Sequence, residues 1–197
     1  MFFNKKKKVL VFLGHPNKED TTNNLLADSY ENGARDGGHE VRRINIGDLK
    51  FDPILHKGYK AIQELEPDLK MVQEAFKWAN HIVIFYPSWW STMPALLKGM
   101  FDRMWLPHFA YHFRPSGFGW IKMLKGKSAR VVVTSDSHPI IARFLFGDST
   151  NEIKRGILWF SGISPIKIHK IGGMKGISEL RKNAIAKAMY RIGKSAR

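Results

Sequence analysis

The residues best suited to chemistry on a flat ligand lie in one block, Phe85-Tyr86-Pro87-Ser88-Trp89-Trp90-Ser91-Thr92-Met93-Pro94. Two prolines bracket two adjacent tryptophans, and the apolar run His81 to Phe85 leads into them. Neighbouring side chains on extended backbone point to opposite sides. One of Trp89 and Trp90 can then pack inward while the other faces a ligand. Core filling by both is the plain alternative, because tryptophan is usually well buried. A second group, Gly14-His15-Pro16-Asn17-Lys18-Glu19-Asp20-Thr21-Thr22-Asn23, runs into a helix start. Free N–H groups and the helix dipole favour an anion there, with Thr21, Thr22 and Asn23 as further donors; His15 is either a ligand-contacting imidazole or simply a loop histidine, and taken alone it reads as the latter. A simple helix cap by Asp20 or Thr21 explains the same residues.

A third group, Thr134-Ser135-Asp136-Ser137-His138, ends another apolar run with hydrogen-bonding side chains. No G-x-S-x-G elbow accompanies it, so a hydrolase triad is not supported. Neither a Walker loop nor a G-x-G-x-x-G loop is present, which argues against a kinase or a dinucleotide-fold dehydrogenase. Phe109-Ala110-Tyr111-His112-Phe113 reads as a substrate lid, a dimer contact or a satellite cluster under a long loop. His108 and His112 have i, i+4 spacing, but no glutamate lies between them and Pro107 precedes them. No metal site is expected.

The elements that must position these groups follow from the periodicity. Val9–Leu13, Glu40–Ile46, His81–Phe85, Ala129–Thr134 and Pro165–Ile171 read as strands. Helical patterns run from Thr22 to about Gly37, from Glu66-Pro67-Asp68 to about Asn80, and from Pro94 to about Met104. Two more run from Asn151 to Phe160 and from Ser178 to about Ile192. Phe51–Leu65 and Trp105–Trp120 read as irregular. Alternation of strands and helices predicts an α/β fold, a five-stranded parallel sheet of order 2-1-3-4-5 with helices on both faces. The switch point then lies between strands 1 and 3. The tryptophan loop therefore sits beside the His15–Asn23 loop.

The chain has 197 residues, suited to one domain, 1–197, with 1–8 as a flexible basic arm. No apolar run reaches the roughly 20 residues needed to cross a bilayer. The Lys5–Lys8 run followed by Val9–Leu13 is too short in its apolar part for a signal peptide, and a cytoplasmic protein is expected. There is no cysteine, which excludes disulfides and thiolate nucleophiles. The net charge is +15, from 32 basic and 17 acidic residues. It is mostly scattered, so nucleic-acid binding would rest on charge alone and is not expected.

The chain resembles the NAD(P)H:quinone oxidoreductases of flavodoxin-like fold. Gly14-His15-Pro16, Leu26–Ala34, Gly38-His39-Glu40-Val41, Phe51-Asp52-Pro53, Glu66-Pro67-Asp68, Tyr86–Trp90, Met93–Gly99, Phe109-Ala110-Tyr111, Leu124–Ala129 and Gly162-Ile163-Ser164-Pro165 carry the resemblance. It is close to bacterial modulators of drug activity, general stress proteins and the ancillary oxidoreductases of potassium-efflux systems.

The resemblance implies a flavin cofactor, FMN or FAD, with His15, Thr21, Thr22 and Asn23 at its phosphate and ribityl end. Pro87, Ser88, Trp89 and Trp90 would flank the isoalloxazine, and Thr134, Ser135 and Asp136 its other side. Trp90, Phe109, Tyr111 and Phe113 would line the nicotinamide and quinone pocket, the last three facing a partner in a homodimer. Mammalian relatives carry a tyrosine and a histidine after strand 4, whereas Ser137-His138-Pro139-Ile140-Ile141-Ala142 holds no tyrosine. No protein acid or base is assigned, and the chemistry is left to the flavin. The implied activity is two-electron, ping-pong hydride transfer from NAD(P)H to a quinone or similar flat acceptor. The alternative is a flavin-binding regulatory subunit of a membrane transporter such as a potassium-efflux system. Its basic segment Arg181–Arg197 would then meet a membrane-bound partner or acidic lipid.

Overall fold

The computed structural model describes residues 6–196. In chain order the elements are β1 (Lys8–Leu13), α1 (Thr22–Asp36), β2 (Glu40–Asn45), α2 (Pro67–Trp78), β3 (His81–Pro87) and α3 (Ala95–Met104). Then follow β4 (Tyr111–Phe113), β5 (Trp120–Lys122), β6 (Ser128–Thr134), α4 (Pro139–Phe146), a π-helical segment Glu152–Trp159, β7 (Ile166–Ile171) and α5 (Glu179–Ser195). The main sheet is parallel, in the order β2-β1-β3-β6-β7. This is the expected 2-1-3-4-5 order, because β4 and β5 form a separate antiparallel hairpin.

Every residue of β3 is buried, as are Val9–Leu13 of β1. Strands covered on both faces need apolar side chains in both directions, which explains their unbroken apolar runs. Val9, Val11 and Leu13 face Leu26, Tyr30 and Met189 of α1 and α5. Leu10 and Phe12 face the opposite layer, with Phe76 of α2, Met100 of α3 and Leu158 of the π-helical segment. α1 and α5 touch backbone to backbone. A Cβ on Gly33 would lie 2.0 Å from the Tyr190 carbonyl oxygen, and one on Gly193 would lie 2.2 Å from that of Tyr30.

Polar groups inside the domain are mostly partnered. His81 Nδ1 lies 2.8 Å from Ser128 Oγ, and Nε2 lies 3.0 Å from the Tyr30 hydroxyl. Burial is the main cause that lowers the His81 pKa to about 3. Arg103, 1% exposed, donates to the Glu66 carboxylate at 3.1 and 3.0 Å, to the Glu64 carbonyl at 2.8 Å and to the Asp52 carbonyl. This fan of bonds pins the otherwise irregular segment 51–65 onto α3.

Several boundaries differ from the sequence reading. β3 runs two residues past Phe85 to include Tyr86 and Pro87, and β2 stops at Asn45, where Ile46 opens a short turn. Pro94 caps α3 rather than belonging to it, and Ser178 caps α5, accepting from Arg181 N–H. The stretch expected to be irregular from Trp105 to Trp120 contains β4, which pairs with β5. α4 was not foreseen: Pro139–Phe146 is eight residues long and nearly all apolar, with Arg143 its one polar residue, too short a stretch to establish a period. Of the expected basic arm over 1–8, residues 1–5 lie outside those described. Lys8 is the first residue of β1, and the Lys7 ammonium donates to the Ala196 carbonyl oxygen at 2.6 Å.

Candidate functional site

β1 connects to β2 on one side of the sheet, whereas β3 lies on its other side. The loops leaving β1 and β3 diverge at this switch point and open a crevice at the carboxyl edge. A cavity of about 190 Å³ lies there, lined by His15, Thr21, Thr22, Asn23, Pro87, Ser88, Trp89, Thr134, Ser135, Asp136 and Met174. Volume alone does not select it. A cleft of about 390 Å³ lies beside Lys154, Arg155 and Trp159, and one of about 560 Å³ beside Lys18 and Arg43. The switch-point cavity joins the ends of β1, β3 and β6 to the start of α1.

Its first wall begins where Gly14 N–H donates to the Phe85 carbonyl at 2.7 Å, tying the loop after β1 to β3. Thr21 is the helix cap, its Oγ1 accepting from Asn24 N–H at 3.1 Å. A cap and free first-turn amides therefore coexist in this loop. The cap serves Asn24, and the helix ladder begins at Leu25 N–H bonding to the Thr21 carbonyl. The amides of Thr22 and Asn23 precede that ladder and have no intrahelical acceptor. No acidic residue occupies the first turn to neutralise the dipole. Asn17 N–H donates to His15 Nδ1 at 3.0 Å, which puts the proton of the neutral ring on Nε2. Burial lowers the His15 pKa and so favours that neutral form.

The second wall is a tight turn. Trp89 and Thr92 exchange backbone hydrogen bonds at 3.0 and 3.1 Å. Trp90 and Ser91 between them both have left-handed backbone, with φ of 51° and 61°. Positive φ at both central positions is the type I′ arrangement, which normally takes Asn and Gly. Trp89 meets the His15 ring edge to face, with centroids 5.5 Å apart. Trp90 projects wholly into solvent, 100% exposed, and does not line the cavity. Glu152 braces the turn from the π-helical segment: its carboxylate accepts from the Thr92 hydroxyl and from Met93 N–H at 3.3 Å.

The third wall is the end of β6. Ser88 N–H donates to the Thr134 carbonyl at 2.7 Å, and the buried Thr134 hydroxyl accepts from Asn23 Nδ2 at 2.8 Å. Ser135 N–H donates to the Ile171 carbonyl, and its own carbonyl accepts from Met174 N–H at 3.1 Å. Met174 is thereby drawn into the cavity wall. The sequence reading missed both Met174 and Glu152. The signal for Met174 was the Gly172-Gly173 pair at the carboxyl end of the last strand, the same edge as the other loops. Asn23 Oδ1 is buried with no hydrogen-bond partner among the described residues.

The remaining expected contacts lie elsewhere in this chain. Phe109 is 5% exposed and packs edge to face on Trp105 in the core, so it is no wall of its own chain's cavity. Tyr111 stacks edgewise on Phe113 and Phe160, and Phe113 is 60% exposed on the hairpin. The rings of His108 and His112 come within 4.6 Å on that hairpin. No third metal-ligating side chain groups with them among the described residues.

Sheet order, helices on both faces and loops that diverge at the β1/β3 switch point define a doubly wound α/β fold, a class in which ligands bind at the carboxyl edge of the sheet. The chain belongs to the flavodoxin-like fold family, whose family model matches residues 7–195. It is 24% identical to an uncharacterised NAD(P)H oxidoreductase of Haemophilus influenzae, over 89% of each chain. It is 26% identical to an FMN-dependent NADH:quinone oxidoreductase of Macrococcus caseolyticus, over 87% of this chain and 90% of the relative. The crystal structure of Smu.1420 from Streptococcus mutans superimposes with a TM-score of 0.80 at 25% identity, covering 95% of this chain and 98% of that one.

Proposed function

We propose that this protein is a flavin-dependent NAD(P)H oxidoreductase that passes two electrons to a quinone or a similarly flat acceptor. One observation carries the reading: the loops after β1, β3 and β6 converge on a single cavity that opens beside an aromatic turn. The donor set fits the phosphate end of a flavin mononucleotide. Two first-turn amides, the His15 Nε2–H and the Thr22 hydroxyl can all donate to an anion at the positive end of α1. The orphaned Asn23 Oδ1 supplies a buried acceptor for a ribityl hydroxyl. The name of the Macrococcus relative, FMN-dependent, supports FMN in particular.

Bound there, a flavin supplies the capacity to take a hydride from NAD(P)H and release it to a second substrate. The chain's own part is binding and orientation. Trp89 offers a flat wall, and the backbone of 87–88 and 134–136 offers hydrogen-bonding edges. Donor and acceptor would use one exposed face in turn, which is the ping-pong arrangement. The loop after β6 contributes no tyrosine, so no side chain is given a proton-transfer role. The charge of +15 speeds arrival of the anionic dinucleotide. In a homodimer, the exposed Phe113 and half-buried Tyr111 would complete the pocket of the neighbouring copy.

The test is direct. The purified protein, supplied with FMN and FAD, should retain one of them. The chromophore is released and identified by mass, and NADH and NADPH oxidation is followed with a soluble quinone. Protein that stays colourless and supports no flavin-dependent oxidation overturns the reading.

A further inference from the structure

The segment Glu152–Trp159 is wound as a π-helix, and this winding gathers one wall of a second cleft. A π-helix bonds residue i to i+5, so Lys154 and Arg155, five and four positions before Trp159, come to lie beneath it on either side. In an α-helix Lys154 would stand about 140° round from Trp159. All three line the cleft of about 390 Å³, with Ser164 and Ile166 as its other wall. Ile166 is the first residue of β7, the edge strand, so the cleft lies at the amino end of the parallel sheet. The switch-point cavity lies at the carboxyl end, and the two share no lining residue.

The lining has two chemical characters. Trp159 is 48% exposed and meets Trp120 edge to face, with centroids 6.2 Å apart. The Lys122 ammonium stands 3.5 Å from the centroid of the Trp159 ring and adds a positive charge beside the indole. Lys154 and Arg155 are exposed, and neither they nor Lys122 has an ion-pair partner among the described residues. Glu152, the one acid of the segment, is turned away to the Thr92 hydroxyl and Met93 N–H. No carboxylate lines the cleft among the described residues. Cations brought together without an acid attract an anion, and a half-exposed indole among them offers a surface to a flat ring. A single ligand that satisfies both is an anion carrying an aromatic ring, and the cleft has the volume of an ordinary small-molecule site.

We propose that this cleft binds a nucleoside phosphate, with its phosphate between Lys154 and Arg155 and its base against Trp159. Ser164 offers a hydroxyl to the sugar from the facing wall. The cationic lining comes from one turn of the π-helix and from Lys122, which suits a single phosphate and not the track of charges that a strand of nucleic acid needs. The site does not rest on the oxidoreductase reading, because it lies apart from the switch-point cavity and needs no flavin.

The test titrates AMP into the whole protein by calorimetry, with adenosine and inorganic phosphate as controls that lack in turn the anion and the ring. AMP should bind with a Kd below about 1 mM, the upper end of the usual metabolite range. Each control should bind about tenfold or more weakly. The double variant Lys154→Ala and Arg155→Ala should lose about tenfold or more in AMP affinity with unchanged circular dichroism, and so should Trp159→Leu. Photolabelling of the wild type with 8-azido-AMP needs no variant, and it should mark a peptide within 154–166. Absence of AMP binding, equal binding of either control, or equal binding by either folded variant overturns the proposal. So does label confined to the residues of the switch-point cavity, and so does a single-stranded oligonucleotide that binds and is not displaced by AMP. None of these measurements uses a flavin or NAD(P)H oxidation, so their failure and that of the oxidoreductase reading are separate results.

Discussion

Asn23 Nδ2 donates to Thr134 Oγ1 at 2.8 Å, a bond between residues 111 positions apart that fastens the first turn of α1 to the end of β6. One amide thus sets the width of the cavity while its other end stays unpartnered. Asn23→Ala should lower stability by about 1–2 kcal/mol by stranding the Thr134 hydroxyl. It should also weaken FMN binding about tenfold, the worth of one buried polar contact. Flavin fluorescence titration of the folded variant reads this, and an unchanged affinity would remove Asn23 from the site.

The left-handed pair Trp90-Ser91 should be strained, since neither side chain favours positive φ. Replacing it with Asn-Gly keeps the turn type and should raise stability by about 1–2 kcal/mol in thermal unfolding. The same change removes the exposed indole, so the KM for quinone should rise while the protein becomes more stable. Parallel loss of both properties would mean that the indole, and not strain, governs the turn.

Glu152 holds the turn from outside the cavity through Thr92 and Met93. Glu152→Ala should leave the global unfolding free energy within about 1 kcal/mol of wild type. Hydrogen exchange over 89–93 should quicken about tenfold or more as local opening becomes easier. Exchange rates that do not move would show that the turn stands without its brace.

His81 makes the protein sensitive to acid. Its folded pKa of about 3 lies below the ordinary 6.5, so between those values the unfolded chain holds a proton that the folded chain refuses. Stability is full above about pH 6.5 and falls as pH drops through that window, by up to about 1.4 kcal/mol per pH unit from this group. Denaturant unfolding from pH 7 to 4 should show the slope. His81→Gln, which keeps polar atoms near Ser128 and Tyr30, should flatten it.

The sheet was legible because β1, β3 and β6 are buried on both faces and must read as apolar runs, and because Gly14 closes β1 and Pro87 closes β3. The cavity was legible for the same topological reason: once the order 2-1-3 is written, the loops after β1 and β3 are neighbours. That Phe109 packs into the core was not legible, because an aromatic cluster looks alike in sequence whether it faces solvent or a core, and its contact with Trp105 appears only in the fold. α4 escaped notice because its eight residues make barely two turns, in which the single polar residue Arg143 is too little to mark a face. Glu152 carries no local mark at all; its partners lie 59 and 60 positions away.

The backbone contact between α1 and α5 through Gly33 and Gly193 has a consequence for biosynthesis. The first turn of α1, proposed above to hold the anion, lies near the start of the described chain, yet α1 packs backbone to backbone against the last described helix. While the chain is still emerging from the ribosome, α1 has part of its partner surface missing and the helix start is not fully anchored. Long-range closure of this kind comes late. Cofactor loading should therefore wait until α5 has emerged and packed on α1, and a nascent chain lacking α5 should hold no cofactor.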